Sequence, residues 1–439
     1  MKILILDIYK NTNYRISKDT SGGYGTGNDF GDTFVPKFLK KTLKKIHDWP
    51  PLFAAYTYSV LKEKNEIVEY KKNLPNDFKN YELFIIVSSI VCCEDEIKVI
   101  KKIKNENKSV FAIGPFATNN PKLYNDAGAT VISGEPEFYF LKKNNFNEDL
   151  NKKIVSFENE NEIDDLPFPD WDGLIGENKR ASNLFGNYNS VPIIGTRGCP
   201  YSCFKYCVYP LQQGRKVRQR SPKKIVDEME ILKNKGIKMF IFRDPVFSIN
   251  RKHTLDFCNE LIQRNIKIRF IIETHLRILD LELIQILKKA GLKAVKVGIE
   301  SSDEEVLKES SRFTIATDKQ LEKIKELEKN QIQISAMYII GFPADNDSTI
   351  KKTINYAKKL NTTYAQFAVW TPYPGTPIWN EYQDKIIVDK YDSFDQYRLV
   401  YKHKLFDEKT IRSYLSKSYS LYYFRFSWFY KFIKSFFYN

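Results

Sequence analysis

Three cysteines within nine residues, Cys199, Cys203 and Cys207, constrain this chain more than any other feature it has. They sit in Gly195-Thr196-Arg197-Gly198-Cys199-Pro200-Tyr201-Ser202-Cys203-Phe204-Lys205-Tyr206-Cys207. Glycines and a proline keep such a backbone loop-like, so all three sulfurs are able to converge on one centre. Thiolates prefer zinc, copper(I) or iron–sulfur clusters. A structural zinc site wants a fourth ligand close by, and none appears before His253. A four-iron cluster normally takes four cysteines, so three leave one iron open to a substrate or cosubstrate. Zinc, and three thiols without metal, remain the alternatives at this point.

The flanking sequence sets the context. The opening Met-Lys-Ile-Leu-Ile-Leu-Asp-Ile-Tyr is a strand and lacks the sections of a signal peptide. The longest apolar run, Leu83 to Cys93, falls well short of a membrane span. A cytoplasmic, reducing location is expected, where six cysteines are free, catalytic or metal-bound rather than disulfide-linked. The 439 residues call for two domains plus tails, and 42% hydrophobic with 14% aromatic residues suffices for real cores. The +15 net charge raises nucleic acid as a partner. Its lysines are scattered in pairs along helix-like stretches, and no recognition motif accompanies them. A solvated surface is the better reading, with no stable nucleic-acid partner.

Strand and helix alternate twice along the chain. In residues 1–145, Ile3–Ile8, Ile67–Tyr70, Leu83–Val87, Val110–Ile113 and Thr130–Ile132 read as buried parallel strands, with helices at Phe53–Glu63 and Glu94–Asn105. That is a doubly wound, Rossmann-like (flavodoxin-like) α/β domain. Ser21–Gly31 is glycine-rich without a phosphate-loop ending and reads as a mobile or ligand-covering loop. Residues 146–190, with prolines at 167 and 169, read as a linker or strap. In 191–385, Pro192–Gly195, Met239–Phe242, Ile268–Ile272, Ala294–Val297, Ile334–Ile340 and Ala365–Val369 read as six strands of a partial (β/α)6 barrel. The cysteines then occupy the loop after its first strand, where such barrels carry their sites. Residues 386–439 read as a helical, aromatic-rich extension.

The cysteine segment resembles that of the radical S-adenosylmethionine (SAM) superfamily, whose usual spacing is Cys-x3-Cys-x2-Cys with an aromatic residue before the last cysteine. Tyr206 matches that aromatic, and the second gap is one residue longer, Cys-x3-Cys-x3-Cys. The extra residue falls in a loop. Later segments resemble the superfamily in the same order: Phe242–Phe247 with Asp244, Ile272–His275 with Glu273, Gly298-Ile299-Glu300-Ser301, Gly341-Phe342-Pro343 and Thr371–Pro377. The resemblance implies a [4Fe–4S] cluster on Cys199, Cys203 and Cys207. It also implies SAM positioned by Tyr206, Asp244, Glu273, His275, Gly298, Glu300, Ser301, Gly341, Pro372 and Gly375. In that family the reduced cluster splits SAM to give a 5′-deoxyadenosyl radical, with an external donor such as flavodoxin or ferredoxin supplying the electron.

The first domain resembles the cobalamin-binding-like domain that precedes many of these enzymes, through Pro50-Pro51, Ser88-Ser89, Gly114–Thr118 and Gly134-Glu135-Pro136-Glu137. The resemblance implies cobalamin beside Ser88, Ser89, Gly114, Gly134 and Glu135. No Asp-x-His-x-x-Gly segment is present and His47 is the sole histidine before His253, so cobalamin would be held without a protein histidine. Cys92, Cys93 and Cys258 read as core, and His253 and His403 as surface or packing residues. The function implied is cobalamin-dependent methyl transfer to an unactivated centre of a small-molecule or lipid-like substrate. The alternatives are radical cyclisation or rearrangement and, behind them, nucleic-acid modification. Residues 411–439 either pack beside the barrel, as a similar Tyr-Tyr-Phe-Arg helix does in resembling enzymes, or touch a membrane peripherally.

Overall fold

Five strands of the first domain form where the apolar runs place them: β1 (Lys2–Leu6), β2 (Ile67–Lys71), β3 (Leu83–Val87), β4 (Ser109–Ile113) and β5 (Thr130–Ser133). A sixth, β6 (Ile154–Ser156), lies inside the stretch read as a strap and is too short to show a period. All pair in parallel in the order β2-β1-β3-β4-β5-β6. Every residue of β3, Leu-Phe-Ile-Ile-Val, is buried, as a central parallel strand covered on both faces must be. This is the flavodoxin-like order, with its switch point between β1 and β3. The structure, a computed structural model, describes residues 1–46, 49–157, 162–176, 181–183, 186–313 and 315–438, so His47 lies outside the described residues.

The Ser21–Gly31 segment is packed rather than mobile. Ile16–Ser17 pairs antiparallel with Thr26–Gly27. Tyr24, at the tip of that hairpin, is fully buried, its ring 5.6 Å from both Phe116 and Tyr373. The hairpin therefore closes over the carboxyl ends of β1 and β3.

The second sheet runs β13-β12-β11-β10-β9-β8-β7, from β7 (Ala181–Asn183) and β8 (Gly186–Ile193) through β9 (Met239–Phe242), β10 (Arg269–Thr274), β11 (Leu292–Glu300) and β12 (Gln333–Ile340) to β13 (Tyr364–Val369). Strands β8 to β13 are parallel, β7 is antiparallel, and β8 does not pair with β13. The sheet is an open half-barrel. Strand β8 starts six residues before the expected Pro192. Its first half, Gly-Asn-Tyr-Asn, carries no apolar alternation and is held by β7.

The crossover helices carry clear end signals. Ser221 caps α4 (Pro222–Asn234) by accepting from Lys224 N, with proline at the first helical position. After α5 (Arg251–Gln263), Asp280 caps α6 (Leu281–Ala290), which ends on left-handed Gly291. Helix α7 (Thr317–Lys329) follows, and a reciprocal Asn346–Thr349 capping box opens α8 (Asp347–Leu360).

An open sheet exposes unpaired backbone at its edge, and a helix covers the edge here. On α9 (Glu408–Tyr423), the Tyr419 hydroxyl accepts from Phe367 N (3.1 Å) and donates to Phe367 O (2.9 Å). Tyr423 does the same at Ala365 (3.0 and 2.7 Å), and Tyr422 donates to Thr362 O (2.6 Å). Tyrosine hydroxyls thus stand in for a missing neighbour of β13. The extension is not wholly helical: Phe394 and Val400 return to the core of the first domain.

Candidate functional site

A short ribbon, Thr196–Arg197 against Arg218–Gln219, holds the cysteine loop beyond the end of β8. Gly198 has φ +86°, and a Cβ there would lie 2.0 Å from the Lys216 carbonyl oxygen, so only glycine closes the ribbon. Cys199 N donates to Gly214 O (3.2 Å), while Tyr206 N and Cys207 N both donate to Cys203 O (3.2 and 3.1 Å). Cys199 and Cys203 are buried and Cys207 is half-buried. Burial pushes the Cys199 and Cys207 thiols up, with neighbouring Cys203 adding to the rise at both. Thiols so placed ionise only beside strong positive charge, which a bound metal supplies. Among the described residues no three His, Cys, Asp or Glu close on a single ion. A multi-iron cluster taking one cysteine per iron does not need them to. The donor set therefore fits a cluster held by three cysteines.

Arg312, absent from the sequence expectations, reaches this loop at its second cysteine. Its guanidinium lies 3.5 Å from Cys203 Sγ, 3.2 Å from Gly298 O and 3.3 Å from the Glu300 carboxylate. It follows α-helical residues with no motif around it, so nothing in the local sequence marks it. Lys296, equally unmarked, faces the adjoining cavity with an ammonium pushed down to about 8 by burial and then by Arg243.

That cavity, of about 340 Å³, lies between the hairpin of the first domain and the inner face of the half-barrel. Arg15, Ser17 and Thr26 line it on one side, Tyr206, Cys207 and Tyr209 on a second, and Glu273, Lys296 and Glu300 on a third. Of the residues expected to position SAM, Tyr206, Glu273 and Glu300 are on its wall. Glu300 takes φ +64° where the β11–β12 register shifts, a backbone strain of the kind found at working sites. Burial raises the Glu300 and Glu273 carboxyls, and Arg312 opposes that rise at Glu300.

The others are arranged differently. Ser301 turns away, its hydroxyl accepting from Asp303 N (3.1 Å) and lying 3.1 Å from Thr353 Oγ1. Asp244 sits under the cysteine segment, accepting from Gly195 N at 2.8 Å, and burial pushes it up to about 7. The Gly298 carbonyl is taken by Arg312, and that of Gly341 by Tyr401 OH (2.9 Å). Pro372 and Gly375 flank wall residues Thr371 and Tyr373 but are not on the wall themselves; Gly375 packs on Asn119. His275 faces a small pocket beside Tyr201, Cys203 and Arg312. Burial, then Arg312, push it down to about 4, so the imidazole is neutral. Its Nε2 donates to Phe313 O (3.0 Å), leaving Nδ1 to accept from Arg277 N (3.2 Å).

The five residues expected on the cobalamin side do not surround an open crevice. At the switch point Lys18 is fully buried, its Nζ 3.1 Å from Asp7, 2.8 Å from Glu96 and 3.0 Å from Val87 O. Ser89 Oγ donates to the same Glu96 (2.8 Å), and Ser88 Oγ accepts from Ala117 N (3.0 Å). Gly114 packs against Phe53, where a Cβ would lie 2.7 Å from the ring. Gly134 and Glu135 brace the cysteine loop instead. Gly134 O accepts from Gln212 (3.3 Å), and Glu135 meets Arg197 at 2.5 Å and Arg218 at 2.8 Å. Glu137 joins Arg197 at 2.6 Å in the same buried network. Lys18 therefore occupies the crevice between β1 and β3.

Cys92, Cys93 and Cys258 are buried core residues. His403 is buried, with Nε2 on Phe342 O (2.9 Å), and half-buried His253 contacts Arg220 O (2.6 Å).

Residues 193–357 match the Radical SAM superfamily model. The chain is 28% identical over 416 residues to an uncharacterized methyltransferase of Pyrococcus horikoshii, covering 86% of this chain and 88% of that one. It is 31% identical over 232 residues to the anaerobic magnesium-protoporphyrin IX monomethyl ester cyclase of Cereibacter sphaeroides, covering 52% and 37%. In fold it is similar to the radical SAM methyltransferase TsrM from Kitasatospora setae, solved with cobalamin and a [4Fe–4S] cluster, at TM-score 0.62 and 15% identity over 87% and 78% of the two chains. The chain thus carries a radical SAM domain over residues 193–357 and is an enzyme, and that domain implies a [4Fe–4S] cluster and SAM.

Proposed function

We propose that the protein holds its cluster on Cys199, Cys203 and Cys207, seats SAM against Tyr206, Glu273 and Glu300, and methylates a small-molecule or lipid-like substrate in the cavity. The cluster, once reduced by an external flavodoxin- or ferredoxin-like donor, supplies the electron that cleaves SAM. The residues around it do the positioning. Arg312 neutralises charge gathered at Cys203 and orients the Glu300 carboxylate towards ribose hydroxyls. The Arg197–Glu135–Glu137 network fixes the loop rigidly, and the aromatic walls exclude water. The observation that carries this reading is that Cys207, Tyr206 and Glu300 all line one cavity.

Likeness to a methyltransferase along 86% of the chain favours methyl transfer, while likeness to a cyclase over 52% supports cyclisation as the second reading. TsrM was solved with cobalamin, whereas in this chain Lys18 fills the switch-point crevice. The test is anaerobic turnover of SAM with strong reductant, with and without added cobalamin. Turnover that vanishes when any one of the three cysteines becomes alanine is expected. A product heavier by one methyl group supports methylation, and a product without it supports cyclisation. No SAM consumption by cluster-loaded protein would overturn both.

A further inference from the structure

The last helix, α10 (Phe426–Phe436), is apolar on two opposite faces. Its inner face docks on the half-barrel: Trp428 Nε1 donates to Thr363 O (3.0 Å), the Phe432 ring lies 6.0 Å from Tyr364, and Gln333 Nε2 donates to Ser435 O (3.1 Å). Its outer face places Phe426, Phe429, Tyr430, Ile433, Phe436 and Phe437 at i, i+3, i+4, i+7, i+10 and i+11, and each is 43–86% exposed. A helix apolar all round normally has apolar partners all round; this one has a partner on one side.

The patch continues onto two more helices. Thr33 Oγ1 at the start of α1 (Phe34–Leu43) lies 2.7 Å from Ser420 Oγ near the end of α9. That contact brings Phe34 (80% exposed) and, one turn on, Phe38 (61%) beside Leu421 (48%) and Phe424 (83%). Exposed Lys37, Lys41 and Lys45 alternate with those rings, and Lys417 and Lys434 stand on α9 and α10. Acidic groups nearby are already paired: Asp32 with Arg412 and Glu328 with Lys431.

We propose that α1, the end of α9 and the outer face of α10 form one surface that docks on an anionic lipid bilayer. Rings sink to the headgroup boundary while the lysines meet lipid phosphates. Charge decides against a second copy of this chain as the occupant, since a self-complementary contact would set these lysines against one another. Among the described residues no helix is long and apolar enough to cross a membrane, so the attachment is peripheral. The surface adjoins the cavity: Ile46, just beyond α1, lines it, and so does Tyr364, which Phe432 touches from α10.

The test is sedimentation of the full chain with vesicles of phosphatidylcholine alone and of phosphatidylcholine mixed with phosphatidylglycerol. Binding to the mixed vesicles is expected, weakened by salt as exposed charges are screened. Phe429→Ser with Phe436→Ser, both exposed and free to change without unfolding the core, should weaken it at least about tenfold. Lys37→Glu with Lys41→Glu should weaken only the anionic-vesicle binding. Failure of the wild-type chain to bind mixed vesicles, or binding unmoved by the Phe429/Phe436 change, overturns the proposal. So does a dimer in light scattering that the same phenylalanine change dissolves, which would make a second copy the occupant.

Discussion

Replacing Lys18 by methionine isolates what the buried cation does at the β1–β3 switch point. Methionine fills a similar volume, so the change removes charge more than packing. The ammonium is fully buried and serves Asp7 at 3.1 Å, Glu96 at 2.8 Å and Val87 O at 3.0 Å. Glu96 would keep Ser89 N (3.2 Å), Ser89 Oγ (2.8 Å) and Tyr124 OH (2.7 Å), and Asp7 would keep Tyr70 OH. Two carboxylates would remain buried without a counter-ion, which costs about 3–5 kcal/mol when one member of a buried pair is lost. The chain has two large sheets and is not expected to unfold in one step, so the readout should be local. Hydrogen exchange of β1 and β3 amides should speed up on the order of a hundred- to several-thousand-fold, while β9 to β12 stay protected. The sign with pH follows from the cation's removal. Burial already raises the Glu96 carboxyl, and without Lys18 the main opposing charge is gone, so the loss is greatest at neutral pH and shrinks as Glu96 protonates in acid. Adding Glu96→Gln should return part of the loss. A single change that shifts β1 and β3 exchange less than about tenfold, or equally at all pH values, would refute the account of a cation-dependent plug.

Other expectations follow from the site. Cys199→Ala, Cys203→Ala or Cys207→Ala should each remove bound iron and its visible absorption after anaerobic reconstitution, while a far-ultraviolet dichroism spectrum stays native. Gly198→Ala places a Cβ 2.0 Å from Lys216 O, so cluster loading should fall severalfold in an iron assay even though every cysteine is intact. Arg312→Lys keeps a cation but loses the fork that sets one nitrogen on Cys203 Sγ and the other on Gly298 O and Glu300; KM for SAM should rise about tenfold or more, with iron content retained. Asp244, pushed up to about 7 by burial, is an acid whose folded pKa lies above its unfolded value. Its contribution is therefore present in full at low pH and lost as pH rises through about 7. Wild-type stability should decline between pH 6 and pH 8 on the order of 1 kcal/mol, and Asp244→Asn should flatten that decline in urea denaturation.

What could be read from the chain divides by the range over which the signal acts. Strands β3 and β9 announce themselves because burial on both faces demands a continuous apolar run, while β12 is buried on alternate residues with its other face partly open. The cysteine loop was equally plain, since three thiols at close spacing are a local pattern. Glu300 was singled out through the resemblance of Gly298-Ile299-Glu300-Ser301 to the superfamily, and its left-handed backbone left no mark in the sequence. By contrast, Ser301 and Ser88 look alike in sequence to any ligand-binding serine, and only tertiary packing shows that Thr353 and Ala117 take their hydroxyls. Arg312 acquires its meaning 109 residues from Cys203, and Lys18 acquires its own 78 residues from Glu96. Such long-range charge pairs leave no period or spacing behind. The glycine-rich Ser21–Gly31 stretch shows the same limit from the other side. Glycines permit mobility in isolation, yet here Gly23 and Gly25 are the residues that let backbone press against Pro115 and Val91. Their small size serves close packing over the switch point, and the hairpin that they shape makes both the lid of the first domain and one wall of the cavity.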